Sequence, residues 1–290
     1  MSIGDRGLQE PGPLRWPRRR DLVQREPAST SLYVFLLDAD DDLAAEFDVR
    51  ARIPARQLAT ARVLDAEAGD YDLAPWFDAV GAGPGLLVLN GLIAFETRIC
   101  DRVATELLGA GDLIQPPSQR PDILVQSMGD WRALSASRVA LLDADFAERV
   151  RPFPQIVQAL LRRAERRSSE IDALRAITSQ PRLEVRLVLV LWQLAARWGR
   201  VEPSGIRLRL PLTHRLLGQL VAAERPSVSH ALKRLAHAGL VTGAACDLHL
   251  HGSIEEQLDS LIERPDVMAE PEHIGVGRPQ PNGGSRRRIV

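Results

Sequence analysis

The hydrophobic periodicity of this chain changes near Phe146, and that change constrains the fold more than any other feature of the sequence. From Leu32 to about Ala144, short apolar runs such as LYVFLL and RVALLD are separated by Gly, Asp and Pro, a pattern typical of an antiparallel β-sandwich or barrel. A short helix is expected near Asp41 to Phe47. After Phe146 the apolar residues recur at helical spacing. The sequence therefore predicts an α+β protein with sheet and helices in different parts of the chain.

Composition narrows the class of protein. The 290 residues include 45% hydrophobic ones, enough for one large or two medium domains with proper cores. The 37 basic and 38 acidic residues leave a net charge of −1, which excludes a uniformly basic nucleic-acid coat protein and an acidic solvating chain. Any charged function must therefore be local.

Two cysteines, Cys100 and Cys246, are too few for a disulfide framework, a four-cysteine iron–sulfur cluster or a zinc ribbon. The N-terminus has no apolar core of a signal peptide, and no stretch reaches the roughly 18 apolar residues of a membrane span. We therefore expect a cytoplasmic protein without a membrane partner. Residues 1–30 and 266–290 are rich in Pro, Gly and Arg and are expected to be mobile tails.

A long helix is predicted between Pro154 and Thr178. Leu160, Ala164, Ile171 and Leu174 follow a 4-3-4-3 spacing in which Arg167 fills the vacant position. Such a row is a coiled-coil seam, so the helix is expected to pair with a second copy in a parallel homodimer. Pro181 stops this helix, and another apolar-faced helix is expected from Leu183 to Trp198.

Residues 206–242 carry the signals of a helix-turn-helix. Thr213 stands where an N-cap belongs, and an apolar stripe of about two turns follows it. Pro226 suits the first turn of a second helix, which Gly239 ends. Two short helices across a tight turn make the motif.

The outer face of the second helix is rich in hydrogen-bond donors. Residues 205–242 hold six basic side chains against Glu224 alone, while residues 243–272 hold eight acids against Arg264. A basic face beside an acidic flank is typical of a sequence reader. The alternative is an ordinary helical hairpin with a solvated face. The donors are Arg225, Ser227, Ser229, His230, Lys233, Arg234 and His237.

The stretch LTHRLLGQLVAAERPSVSHALKRLAHAGLV resembles the winged-helix DNA-binding domain of the CRP/FNR superfamily of bacterial transcription factors. The resemblance implies that Thr213, His214 and Arg215 meet the phosphate backbone, and the exposed cations Lys233 and Arg234 are further phosphate candidates. It also implies base reading by Arg225, Ser227 and His230, to which the same helix face adds Ser229.

Two departures from the family pattern indicate that the DNA site differs from that of the cyclic-AMP receptor. Pro226 occupies the position of a base-reading glutamate, and His230 stands in for an arginine. Leu240 to Val241 and Cys246 to Leu250 would form the wing strands around Gly243.

The resemblance also implies a domain order for the chain. Residues 31–150 would form a β-roll sensor of the cyclic-nucleotide-binding-like jelly-roll type, residues 151–180 a dimerisation helix, and residues 181–265 the winged helix-turn-helix. The Gly111-Asp112 pair resembles the sensor core.

The expected effector pocket is degenerate. The stretch IQPPSQRPDILVQSMGDWRAL, which follows Gly111-Asp112, lacks the glutamate that holds the ribose in cyclic-nucleotide binders. Arg120 and Arg132 are weak candidates for an anion site. Neither cyclic AMP nor any cofactor is therefore expected to bind.

These observations predict a homodimeric regulator that binds double-stranded DNA at a near-palindromic site, with RNA polymerase as a candidate further partner. The rival interpretation is a cyclic-nucleotide or small-molecule binding signalling module whose C-terminal helices contact protein. An enzyme is not expected, because no nucleophile–base pair or P-loop is present. His249 and His251 alternate on a strand without a third ligand nearby, so no metal site is predicted.

Overall fold

The computed structural model describes residues 32–72, 74–100, 102–116, 128–244 and 246–263. Both predicted tails and most of the stretch 115–127, including Arg120, lie outside the described residues. The strands are β1 Tyr33–Phe35, β2 Thr60–Ala66, β3 Gly69–Tyr71, β4 Gly85–Asn90, β5 Leu92–Ile99, β6 Arg102–Gly109, β7 Leu113–Ile114, β8 Met128–Ala133, β9 Ser137–Leu142, β10 Gly199–Glu202, β11 Gly205–Leu208, β12 Val241–Ala244 and β13 Asp247–His251. The helices are α1 Leu36–Ala39, α2 Asp41–Ala44, α3 Val49–Leu58, α4 Ala74–Val80, α5 Ala144–Val150, α6 Pro154–Thr178, α7 Leu183–Trp198, α8 His214–Val221, α9 Arg225–His237 and α10 Ile254–Glu263.

Two antiparallel sheets form the N-terminal half, with strand orders β1-β2-β9-β4-β7 and β3-β8-β5-β6. Alternate residues of each strand face opposite sides, so Leu86 and Val88 of β4 lie between the sheets while Leu87 packs against the helices outside. This β-roll, the long helix α6 and the C-terminal helix-turn-helix confirm the predicted α+β class.

Aromatic side chains fill the space between the two sheets. Trp131 contacts Trp76 and Tyr71, with ring centroids 5.0 and 5.8 Å apart. All three residues are buried, and aliphatic side chains of both sheets surround them. The interior of the β-roll is therefore a packed core.

Helix α6 is tied to the β-roll by ion pairs. Arg163 donates to both carboxylate oxygens of Asp40, at 2.5 and 2.7 Å, and both side chains are buried. Removing one partner of such a pair costs about 3 to 5 kcal/mol, because a buried charge is left without compensation. Arg162 pairs with Glu46, and Arg167 with Glu106.

The C-terminal half packs directly on the β-roll. Its four-stranded sheet has the order β10-β11-β13-β12, α7 and α9 pack on this sheet, and α8 and α10 pack against α7. Leu92, Ala94 and Leu107 of the second β-roll sheet belong to the same hydrophobic core as α7 and α8. Among the described residues, no helix is long and apolar enough to cross a membrane.

Candidate DNA-binding surface

Local sequence explains why α8 and α9 meet at a tight turn. The Thr213 hydroxyl accepts a hydrogen bond from the Leu216 amide at 3.2 Å and caps α8. Ala222 ends the helix in the left-handed conformation, with φ of 52°. A Cβ added to Gly218 would lie 2.4 Å from the Ala223 carbonyl oxygen, so a larger residue at this position would push the turn away.

The first turn of α9 leaves its donor side chains accessible. Pro226 lies at the start of the helix, as predicted, while Val228, Ala231 and Leu235 are buried against the core. The opposite face carries Arg225, Ser227, His230, Lys233 and His237, all exposed. The structure thus brings most of the predicted DNA-contacting residues of α9 onto one surface.

Ser229 connects the two helices of the motif. Its hydroxyl donates to the Arg225 carbonyl oxygen at 3.1 Å and lies 2.7 Å from His214 Nδ1. The tautomer of His214 decides which of the two groups donates in the second contact. Both side chains are partly buried, so in the DNA-free protein they hold α8 and α9 together, while their predicted DNA contacts stay a prediction.

Arg234 is held by α7. Its Nε donates to Glu184 Oε1 at 2.8 Å, and a second guanidinium nitrogen contacts the same oxygen. Burial acts to raise the pKa of the Glu184 carboxyl, but the hydrogen bond and charge of Arg234, together with a backbone hydrogen bond and the charge of Arg182, outweigh it and hold that pKa below its ordinary value. Arg234 is thus paired with Glu184 and partly buried, so its predicted phosphate contact stays a prediction, whereas Arg215 and Lys233 are exposed.

A glycine turn and several paired side chains shape the wing. Gly243 has φ of 104°, and a Cβ there would lie 2.1 Å from the Asp247 carbonyl oxygen, so the hairpin needs glycine at this position. Arg207 donates to Asp247 through Nε at 2.7 Å. His249 and His251 are ring neighbours at 4.4 Å, and His251 Nε2 lies 2.7 Å from the Thr242 hydroxyl. Within the described ranges, no three His, Cys, Asp or Glu residues form a possible metal site.

Arg132, which is the candidate for an anion site that lies among the described residues, is already paired with carboxylates. Arg132 Nε lies 2.5 Å from Asp70, and its Nη2 lies 3.8 Å from Glu96. Arg120 lies outside the described residues, so the structure does not place it.

The predicted seam on α6 requires a correction. Leu160 is buried in the core of its own N-terminal half, so it leaves no apolar surface for a partner helix, and Leu174 is partly buried against the core of the C-terminal half. Ala164 is partly buried and Ile171 is exposed. The large apolar residues exposed on α6 are Val157, Leu161 and Ile171, at 44%, 56% and 37% of their surface.

Sequence reasoning missed three contacts that position this surface. Glu184 binds Arg234, Arg102 of β6 binds Glu224 at 2.9 Å, and Arg197 binds Asp112 at 2.7 Å. Each joins residues at least 50 positions apart, and an isolated charged residue gives no local pattern that could reveal its partner. The excess of arginine over lysine further weakened any inference from one side chain.

A family model described as the Crp-like helix-turn-helix domain matches residues 185–250. This range contains α8, α9 and the wing, so the motif described above is a Crp-like helix-turn-helix. No curated protein matches the chain.

Solved structures share the fold. A CooA mutant from Carboxydothermus hydrogenoformans has a TM-score of 0.52 at 18% identity, over 69% of this chain and 87% of that one. FixK2 from Bradyrhizobium japonicum has a TM-score of 0.52 at 14% identity, over 69% of this chain and 96% of that one. The c-di-GMP responsive global regulator CLP from Xanthomonas campestris has a TM-score of 0.51 at 17% identity, over 74% and 100%. Together with the matched domain, this shared fold confirms the resemblance to the CRP/FNR superfamily.

Proposed function

Because the chain carries a Crp-like helix-turn-helix domain on the fold of the CRP/FNR regulators, we propose that it is a sequence-specific DNA-binding transcriptional regulator. It acts in the cytoplasm as a homodimer on a near-palindromic site, and RNA polymerase is a candidate partner. The observation that carries the proposal is the accessible first turn of α9, where Arg225, Ser227 and His230 are exposed on one face. In a helix-turn-helix, this end of the second helix enters the major groove.

We assign base reading to Arg225, Ser227 and His230. Ser229 contacts His214 and the Arg225 carbonyl and so holds the reading turn of α9 against α8 in the DNA-free protein, while its base contact stays a prediction. Arg215 and Lys233 are exposed cations suited to phosphate. Thr213 and His214 lie at the start of α8, where the backbone amides of a helix can also bind a phosphate group of DNA.

The homodimer is supported by a row of uncharged residues along α6. Val157, Leu161, Ala164, Ser168 and Ile171 follow a 4-3-4-3 spacing, and this row shares Ala164 and Ile171 with the seam predicted from sequence. The row carries no charge, and three of its members are exposed aliphatic residues. Pairing two such rows in parallel buries them and separates the recognition helices by about one DNA turn, roughly 34 Å.

The degenerate effector pocket is supported by the contents of the β-roll. Tyr71, Trp76 and Trp131 occupy the space between the sheets. Towards α6, Arg167 pairs with Glu106 at 2.5 Å and lies 5.3 Å from the centre of the Phe95 ring. Among the described residues, core side chains therefore fill the space between the sheets, and Glu106 compensates the charge of Arg167, so neither favours the binding of a nucleotide.

Selection of bound sequences from a random DNA pool tests the proposal. We expect an inverted repeat whose half-sites lie about one helical turn apart, with an affinity that falls steeply as salt rises. The rival signalling module, whose C-terminal helices contact protein, predicts no enriched sequence and an affinity nearly independent of salt.

A further inference from the structure

A single buried carboxylate joins the sensor, the long helix and the DNA-binding half. Asp112 lies in the turn between β6 and β7 and is fully buried. Its Oδ2 accepts hydrogen bonds from the Gly109 amide at 2.8 Å and from Arg197 Nη2 at 2.7 Å. Its Oδ1 accepts from Arg166 Nη2 at 3.2 Å. Arg166 belongs to α6 and Arg197 to the last turn of α7, so three elements meet at one side chain.

Three contacts hold the Arg197 side chain in place, one of them the hydrogen bond to Asp112. Its Nη1 donates to Glu170 Oε2 of α6 at 3.0 Å, while its guanidinium carbon lies 4.4 Å from the centre of the Trp198 ring. Trp198 packs against Gly109, where an added Cβ would lie 2.9 Å from the indole ring. The two nitrogens of one planar guanidinium thus bind carboxylates from two different elements, a geometry that lysine cannot reproduce.

The remaining contacts between sensor and DNA-binding half do not fix an angle. Leu92, Ala94 and Leu107 join the core of the C-terminal half, and hydrophobic burial is non-directional. The second polar contact, between Arg102 and Glu224, leaves about three quarters of both side chains exposed, at 78% and 75%. Exposed pairs of this kind contribute little. Among the described residues, the buried contact between Asp112 and Arg197 is therefore the directional one.

We propose that Asp112 and Arg197 are positioning residues that set the angle of the DNA-binding half on α6. In a dimer paired along α6, that angle sets the distance between the two recognition helices and so the spacing of half-sites that both can occupy. This inference rests on the proposed function, because spacing has meaning only for a dimer on DNA.

The variants Arg197→Ala and Arg197→Lys test the proposal on DNA. Binding is measured to a single half-site and to paired half-sites whose spacing is changed by one or two base pairs. Wild type is expected to prefer one spacing by about tenfold or more, because only that spacing allows both helices to engage. Both variants should lose most of this preference while their affinity for a single half-site stays unchanged. The matched control is Arg138→Ala, which removes an exposed pair with Asp65 within the sensor and should behave as wild type.

A second measurement needs no DNA. Cys100 and Cys246 are exposed, one on the sensor hairpin and one on the wing, so spin labels on these native thiols report the distance between the two halves. Labelled chain is diluted into unlabelled chain, and circular dichroism verifies that each variant is folded. Pulsed double electron–electron resonance should give a narrow distribution for wild type and a broad one for Arg197→Lys and Arg197→Ala.

The two measurements separate the two ideas. A broadened distribution in a protein that binds no DNA would support the positioning role and overturn the proposed function. An unchanged distribution in folded variants, or a wild-type spacing preference in Arg197→Ala, would overturn the positioning role and leave the proposed function standing.

Discussion

At the scale of single residues, the outer face of α9 divides into side chains that hold the helix and side chains that remain accessible. Ser229 is bonded to His214 and to the Arg225 carbonyl, and Arg234 is bonded to buried Glu184. Arg225 and Lys233 are exposed. The sequence could predict that all of these residues lie on one face, because helical spacing decides that. It could not predict which would be bonded, since those partners are set by tertiary structure.

Arg225 and Arg215 are expected to differ in kind. Arg225 begins α9 and can offer two donors to guanine, so Arg225→Ala should cost about 1 to 3 kcal/mol and flatten the preference at one base pair of each half-site. Arg215→Ala should weaken all sequences about equally and lower the salt slope by about one unit per lost phosphate contact. Binding titrations against specific and random DNA at several salt concentrations distinguish them. Equal losses on both DNAs for Arg225→Ala would mean that this end of α9 anchors the protein and does not read bases.

Glu184 should make the anchoring of α9 sensitive to acid. Its pKa is held below the ordinary value of 4.5 although burial alone would raise it, because Arg234 bonds the charged form. A lowered folded-state pKa contributes stability above the unfolded-state pKa, and this stability is lost as pH falls through the folded-state value. Glu184→Gln should therefore lower the free energy of unfolding by about 1 to 3 kcal/mol at pH 7, with the difference from wild type shrinking below about pH 4.5. Chemical denaturation between pH 3 and 7 measures it, with exposed Glu255→Gln as the control; a constant difference across this range would contradict the assignment.

At the scale of elements, the sequence predicted best those helices whose ends carry their own signals. The long helices α6 and α7 run from Pro154 to Thr178 and from Leu183 to Trp198, the bounds that Pro154, Pro181 and Gly199 indicate. The sequence analysis did not predict helix α3. Its apolar residues Val49 and Ile53 are exposed, so the helix has no clear apolar face, and Pro54 lies within it. For a related reason, the sequence did not show that Leu160 is covered within its own chain. Leu160 and Val157 are equally apolar, and only the packing of the β-roll decides which of them is covered.

The row of uncharged residues proposed as the dimer interface on α6 is tested by Leu161→Glu. Leu161 is 56% exposed in the single chain, so glutamate should leave the chain folded but place like charges at the centre of a parallel pair. We expect a monomer by analytical ultracentrifugation, and a loss of about 100-fold or more in affinity for the paired site, because the second half-site no longer binds intramolecularly. Ser169→Glu adds the same charge at an exposed position on the outer side of α6 and should remain dimeric. A dimeric Leu161→Glu with full affinity would exclude this face as the interface.

At the scale of the whole molecule, the chain is built as four layers: helices α1 to α3 with α5 and α6, the first sheet, the second sheet, and the DNA-binding half. Each layer shares a hydrophobic cluster with the next, from Leu37 and Phe146 through Trp131 to Leu107. A ligand between the two sheets would therefore have to displace core side chains before it could change the DNA-binding half. The resemblance implied this domain order, but the filling of the interior emerged only from the structure.

Cyclic AMP is accordingly expected not to act as an effector. An allosteric effector must bind the two states of the protein with different affinity, and a coupling of about fivefold or more is ordinary. Here Trp76 and Trp131 fill the space between the sheets, and the charge of Arg167 is compensated by Glu106. Saturating cyclic AMP should change affinity for the selected DNA site by less than about twofold. Fluorescence anisotropy measures this change, and calorimetry measures binding directly.

Because coupling is reciprocal, DNA should equally fail to raise any weak affinity for cyclic AMP. Tight calorimetric binding together with a matching rise in DNA affinity would require the aromatic core to open, and would contradict the degenerate pocket.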